Sequence, residues 1–119
     1  MLINLSNHPS SKWSKEQTEA ALHYGEIADL PFPVVAPEGD ENYIAALADE
    51  YCNKVVELAG GAPVTVHLMG EMTLTFALVN RLAAQGVTCM AATTERIVNE
   101  LPDGRKEAQF RFVKFRKYQ

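Results

Sequence analysis

At 119 residues, of which 47% are hydrophobic, the chain has material for one globular core and not for a second domain. A net charge of −4 argues against general binding to DNA or other nucleic acid. The absence of a leader-like segment or a bilayer-length apolar run predicts a cytoplasmic, soluble protein with no membrane segment.

Leu2, Ile3 and Leu5 form an apolar run that predicts a buried first strand ending near Ser6. The loop Asn7-His8-Pro9-Ser10-Ser11-Lys12-Trp13 follows. Ser14, with Gln17 three residues on, signals a helix over about 15–24 that Gly25 stops, with Ala20, Ala21 and Tyr24 as its apolar stripe. Residues 26–30 read as a second strand. Pro31, Pro33 and Pro37 then force an extended excursion.

Asp40 is placed to cap a second helix whose core stripe reads Tyr43, Ile44, Leu47, Tyr51, Val55 and Leu58, and Gly60-Gly61 ends it. Val64, Val66 and Leu68 make a third strand that enters a third helix through the corner Met69-Gly70-Glu71-Met72-Thr73. Leu74, Leu78 and Leu82 share a face of that helix, and Gly86 stops it. A glycine there permits a tight turn and close approach by a ligand, and a helix N-terminus favours anions.

Residues 87–92 read as a fourth strand, with Thr93-Thr94-Glu95-Arg96 as a polar continuation at the sheet edge. Residues 97–101, the turn Pro102-Asp103-Gly104 and residues 106–118 read as a hairpin. Phe110 and Phe112 alternate while Phe115 falls out of phase, which predicts a bulge near Phe112 or Val113. The order of elements predicts an α/β domain, Rossmann-like and three-layered, with a mostly parallel sheet and a C-terminal hairpin. Ligands of such sheets collect beyond the strands' C-terminal ends. Three loops converge there on this reading: 7–13, 70–73 and 93–96.

His8 is either a proton-transfer group or a loop histidine packed on Pro9 or Trp13. Lys12 is a phosphate contact or an exposed lysine, and Trp13 a stacking partner for a base or a packing residue. Glu71 can hold a ribose hydroxyl, pair with Arg96 or cap its helix, while Thr73, Thr93 and Thr94 offer short hydroxyls to phosphate or ribose. Arg96 offers a planar fork to an anion. His67, inside the third strand, reads as a satisfied core or interface histidine and His23 as a surface one. Cys52 and Cys89 read as buried hydrophobes, and no cluster has metal-ligand spacing, so neither metal nor cofactor is expected.

Charge is unevenly spread: residues 1–104 carry 5 basic and 14 acidic side chains, residues 105–119 carry 6 basic and 1 acidic. The basic end is either a solvated strand face or an attraction for a phosphate-bearing ligand.

The strand from Leu2 followed by Asn7-His8, the Met69 to Thr73 corner before a helix, and Ala92-Thr93-Thr94-Glu95-Arg96 resemble small CRISPR-associated Rossmann-like proteins of the CARF superfamily. The resemblance spans the layout of most of the chain. It implies a homodimer that takes a cyclic oligoadenylate across its two-fold axis, over the C-terminal edge of the sheet. With no residues left for an effector domain, it further implies a standalone ring nuclease acting without metal, or a protein that sequesters the ring. A ribose 2′-hydroxyl would attack the neighbouring phosphate. Arg96 and Lys12 would stabilise charge, His8 would transfer the proton, and Asn7, Thr73, Thr93 and the Gly70 backbone would position the ring. Ser10, Ser11, Glu71 and Thr94 complete the expected ligand site. Glu71 departs from the pattern, standing where a small or hydroxyl side chain is usual. A noncatalytic nucleotide-binding module and an interaction subunit docking through its basic hairpin are the alternatives.

Overall fold

Strand parity builds the centre of the molecule. In the computed structural model, which describes residues 1–119, β1 (Leu2–Ser6) is buried at all five positions. Alternate side chains of a strand point to opposite faces, so Ile3 and Leu5 turn one way and Leu2, Asn4 and Ser6 the other. Asn4 sits in register with His67 of β3 (Thr65–Met69). Ile3 and Leu5 join Val66, Leu68 and Cys89 beneath α2 (Glu41–Ala59) and α3 (Met72–Ala84). On the opposite face Leu2 and Met90 pack against Ala21 of α1 (Lys15–Leu22). The result is three layers.

The first two helices begin as the sequence predicts. Ser14 Oγ accepts from the Gln17 N–H at 3.2 Å and Asp40 Oδ1 from the Tyr43 N–H at 2.9 Å, satisfying donors that the first helical turn leaves unpaired. Gly60, in the left-handed conformation at φ 58°, closes α2 where a side chain would be strained. Leu74, Leu78 and Leu82 of α3 are wholly buried, and each contributes roughly 2 kcal/mol of burial. The stripe of α2 is rotated from the predicted one. Ala48, Cys52, Val55 and Ala59 face the core, Ile44, Leu47 and Tyr51 flank it, and Leu58 is 40% exposed. The close backbone neighbour of α2 is α3, to which it is also tied by Arg81 Nε donating to Asp49 Oδ1 at 2.7 Å.

The sheet runs β2-β1-β3-β4-β5, with β2 (Ile27–Asp29), β1, β3 and the start of β4 (Thr88–Glu100) parallel, and β5 (Lys106–Lys117) antiparallel to β4. Strand order therefore reverses between β1 and β3, which makes the C-terminal ends of those two strands the switch point. β4 does not stop at Ala92, as the polar run suggests. It continues to Glu100, paired with β5 throughout, so 93–96 is strand and not loop. A bulge lies where the aromatic phase shift places it: Thr93 pairs with Lys114 and Thr94 with Phe112, leaving Val113 extra. Thr93 Oγ1 closes the bulge, donating to the Lys114 carbonyl at 2.9 Å and accepting from its N–H at 3.2 Å. Tyr118, just past β5, donates from its hydroxyl to the Leu68 carbonyl at 2.6 Å and ties the return strand to the body.

Cys52 and Cys89 are buried free thiols. Burial pushes the Cys89 thiol up to about 11, with Cys52 adding to it, so it stays protonated at neutral pH. No helix is long and apolar enough to cross a membrane.

Candidate functional site

The face of the sheet beneath α1 carries a polar chain that runs from exposed Asp29 to buried Asn4, Ser6 and His67. Asp29, at the end of β2, accepts from Ser10 through its backbone N–H at 3.1 Å and its hydroxyl at 2.9 Å, and from Asn4 Nδ2 at 2.9 Å. Burial opposes ionisation of Asp29, but these bonds from Asn4 and Ser10 outweigh it and hold the carboxyl below its usual range. Asn4 Nδ2 also donates to the His8 carbonyl at 2.8 Å, and Ser6 Oγ donates to Asn4 Oδ1 at 2.7 Å. His67 Nδ1 lies 2.9 Å from that same Oδ1. His67 is 3% exposed, and burial, reinforced by the positive charge that His8 can carry, lowers its pKa to about 4. The imidazole is neutral at physiological pH.

Aromatic rings surround this histidine. Trp13 stands edge-on to it, with centroids 5.3 Å apart and planes at 85°, and Phe115 lies 5.5 Å away on the return strand of the hairpin. Phe112 stacks edgewise on Phe115 at 5.0 Å. Beyond them a cleft of about 840 Å³ opens over the ends of β1 and β3, with the 7–13 loop on one side and the hairpin on the other. Its lining includes Lys12, Arg111, His8 and His67 and not one carboxylate, in a chain with 15 acidic residues. Arg111 is paired across the hairpin with Glu95 at 2.7 Å, so its charge is matched by a carboxylate that lies outside the lining, and strand alternation turns this pair away from the face that carries Phe110 and Phe112.

The structure brings together Asn7, His8, Lys12, Gly70 and Thr94 of the residues expected at the site. It places the others elsewhere. Ser10 is occupied by Asp29, Ser11 lies exposed in the short turn Ser10–Lys12, and the Thr93 hydroxyl is spent on the bulge. Arg96 sits in the middle of β4 opposite Phe110, outside the cleft lining and without a bond to Glu71, because the strand carries it past the corner.

The corner itself differs from a phosphate cradle. Glu71 turns its own carboxylate onto the start of α3, accepting from the Leu74 N–H at 2.8 Å, the Thr73 N–H at 3.0 Å and the Thr73 hydroxyl at 2.8 Å. These bonds, that of Leu74 foremost, lower the pKa of Glu71, and they occupy the donors an anion would need. Of the three readings of Glu71, the helix cap is the one realised. Gly70 is required by packing: a Cβ there would overlap the ring of Phe32, which the proline loop folds against the corner. Glu71→Ala is expected to lower stability by about 1 kcal/mol through loss of the cap, as a denaturant melt measures, while ligand affinity is unchanged.

His67, Arg111, Phe110 and Phe112 line the cleft and Asn4 backs it, none of which sequence reasoning placed there. The signal was parity. Asn4, Ser6 and His67 are polar residues at alternate positions of apolar strands, and two adjacent strands so marked imply one polar patch on a shared face. No group of three or more His, Cys, Asp or Glu side chains is arranged to hold a metal ion.

No curated protein and no solved structure matches the chain. A family model matches residues 1–116, and the chain belongs to the family it describes, the uncharacterized protein MJ1673 family.

Proposed function

We propose that this protein binds a cyclic oligoadenylate in the cleft above β1 and β3 and opens the ring. The observation that carries this reading is the lining: Lys12 beside aromatic Trp13, Phe110 and Phe112, with no acidic side chain, in a protein of net charge −4. Cations attract phosphates and aromatic faces take bases, a pairing suited to single-stranded nucleotide ligands. The CARF resemblance of the sequence supports the cyclic ligand. A cleft of this size suits part of such a ring, and two copies about a two-fold axis would enclose a ring that is itself symmetric.

In the proposed reaction a ribose 2′-oxygen attacks the adjacent phosphorus, the 5′-oxygen leaves, and the product is linear with a 2′,3′-cyclic phosphate at one end and a 5′-hydroxyl at the other. His8 takes the 2′ proton; the departing oxygen is protonated from solvent. Lys12 stabilises the phosphoryl oxygens as charge builds, and the aromatic walls hold the ribose in line, effects of preorganisation and orientation. Asn7 and Thr94 line the same cleft and position the ring.

The test is incubation of purified protein with labelled cyclic tetra- and hexa-adenylate, with and without chelator. Linear product ending in a 2′,3′-cyclic phosphate in both conditions supports the proposal. Tight binding without product favours a noncatalytic binding module, and no binding removes the ring as ligand.

A further inference from the structure

The fold leaves one buried nitrogen of the cleft empty. His67 Nε2 is fully enclosed and has no hydrogen-bond partner. Its chemical character follows from the polar chain behind it. Asn4 spends its amide hydrogens on the His8 carbonyl and the Asp29 carboxylate, both acceptors, so the amide cannot be flipped and the atom facing His67 is Oδ1. Nδ1 must therefore carry the hydrogen, and Nε2 presents a bare lone pair. Asp29, anchored by Ser10, sets the amide, and the amide sets the tautomer. A buried acceptor without a donor is costly unless a partner arrives.

His67 lines the cleft, with Trp13 and Phe115 packed against its ring in T-shaped arrangements. Resting on the function proposed above, we infer that His67 Nε2 is the base-reading contact of this site: it accepts an N–H of the 6-amino group of an adenine, which slides in as Trp13 swings from its edge-on position to stack on the purine. A lone pair that cannot become a donor rewards a base with an amino group at this position and gives nothing to one without it. Selection by a buried polar group left unpaired is strong, because the wrong ligand leaves the protein atom unsatisfied.

The test compares cyclic tetra-adenylate with the same ring built from unsubstituted purine, which lacks only the 6-amino groups. Wild-type protein is expected to bind the adenine ring at least about tenfold more tightly, and His67→Phe, which keeps a ring but removes the acceptor, to bind the two alike. In parallel, the Nε2 resonance of ¹⁵N-histidine-labelled wild-type protein should move upfield with the adenine ring and not with the purine ring, a readout that stands even where His67→Phe does not fold. Equal affinity of wild-type protein for both rings, or an Nε2 signal unmoved while the adenine ring binds, overturns the role of His67 and leaves the proposed function standing. Failure of wild-type protein to bind either ring overturns both.

Discussion

Stability is expected to fall by roughly 3 kcal/mol as the pH is lowered from 6.5 to 4, with His67 as the main source. Its pKa is lowered from 6.5 to about 4 in the folded chain. Between those values the unfolded chain binds the proton and the folded chain does not, so the unfolded state holds more protons and gains as pH drops. The size follows from the gap between the two values. Above pH 6.5 both states leave the ring neutral and the effect vanishes. Asp29 and Glu71, whose pKa values are lowered, act in the same direction but only near and below the ordinary carboxylate range, mostly under this window. Urea melts of wild-type protein and His67→Phe at half-unit steps measure it: the variant should lose most of the slope between pH 6.5 and 4. A slope shared by both proteins would assign the effect elsewhere.

Lys12→Ala is expected to slow ring opening by about 10²- to 10³-fold, the loss typical of removing one preorganised contact to a charge that develops in the transition state. Lys12 is exposed at the end of the Ser10–Lys12 turn, and no ion pair holds it, so the melting curve should barely move. Its ammonium is a point charge whose value depends on location at the mouth of the cleft and not on a bidentate fork, so Lys12→Arg should retain much of the rate. Arg96→Ala is the informative comparison, since Arg96 projects from β4 outside the lining and its loss should leave turnover close to wild type. Single-turnover rates at saturating ring separate the cases. A Lys12→Ala protein as fast as wild type would remove Lys12 from the mechanism.

The layers of the fold were legible in the sequence because local signals agreed with one another. Ser14 and Asp40 are caps with mechanical reasons to start helices, Leu74, Leu78 and Leu82 recur at helical spacing, and the shift from Phe112 to Phe115 encodes the bulge at Val113. What was not legible depends on tertiary contact. The Thr93 to Arg96 run looks like a loop because it is polar, yet polarity is what an exposed hairpin strand requires once a partner strand satisfies its backbone. In α2, apolar residues surround much of the helix, so spacing alone did not decide between the large residues and the small ones that are buried.

The site divides in the same way. The 7–13 loop and Gly70 were identified because they follow strands β1 and β3, where parallel sheets collect ligands. The expected anion contact at the helix corner was misplaced, since whether Glu71 reaches back to cap its own helix is a rotamer choice that sequence does not disclose. His67 was read as satisfied, and only the chain from Asp29 through Asn4 reveals that one nitrogen is held and the other left bare.

Trp13 is the single tryptophan of the chain, and it stands over His67 in the cleft. Its fluorescence therefore reports on this site alone. Titration with cyclic tetra-adenylate is predicted to change the intensity and wavelength of its emission in a saturable way, with an end point of one ring per two chains. Ring binding detected by calorimetry with the Trp13 emission unchanged, or no binding at all, would contradict the assignment of this cleft.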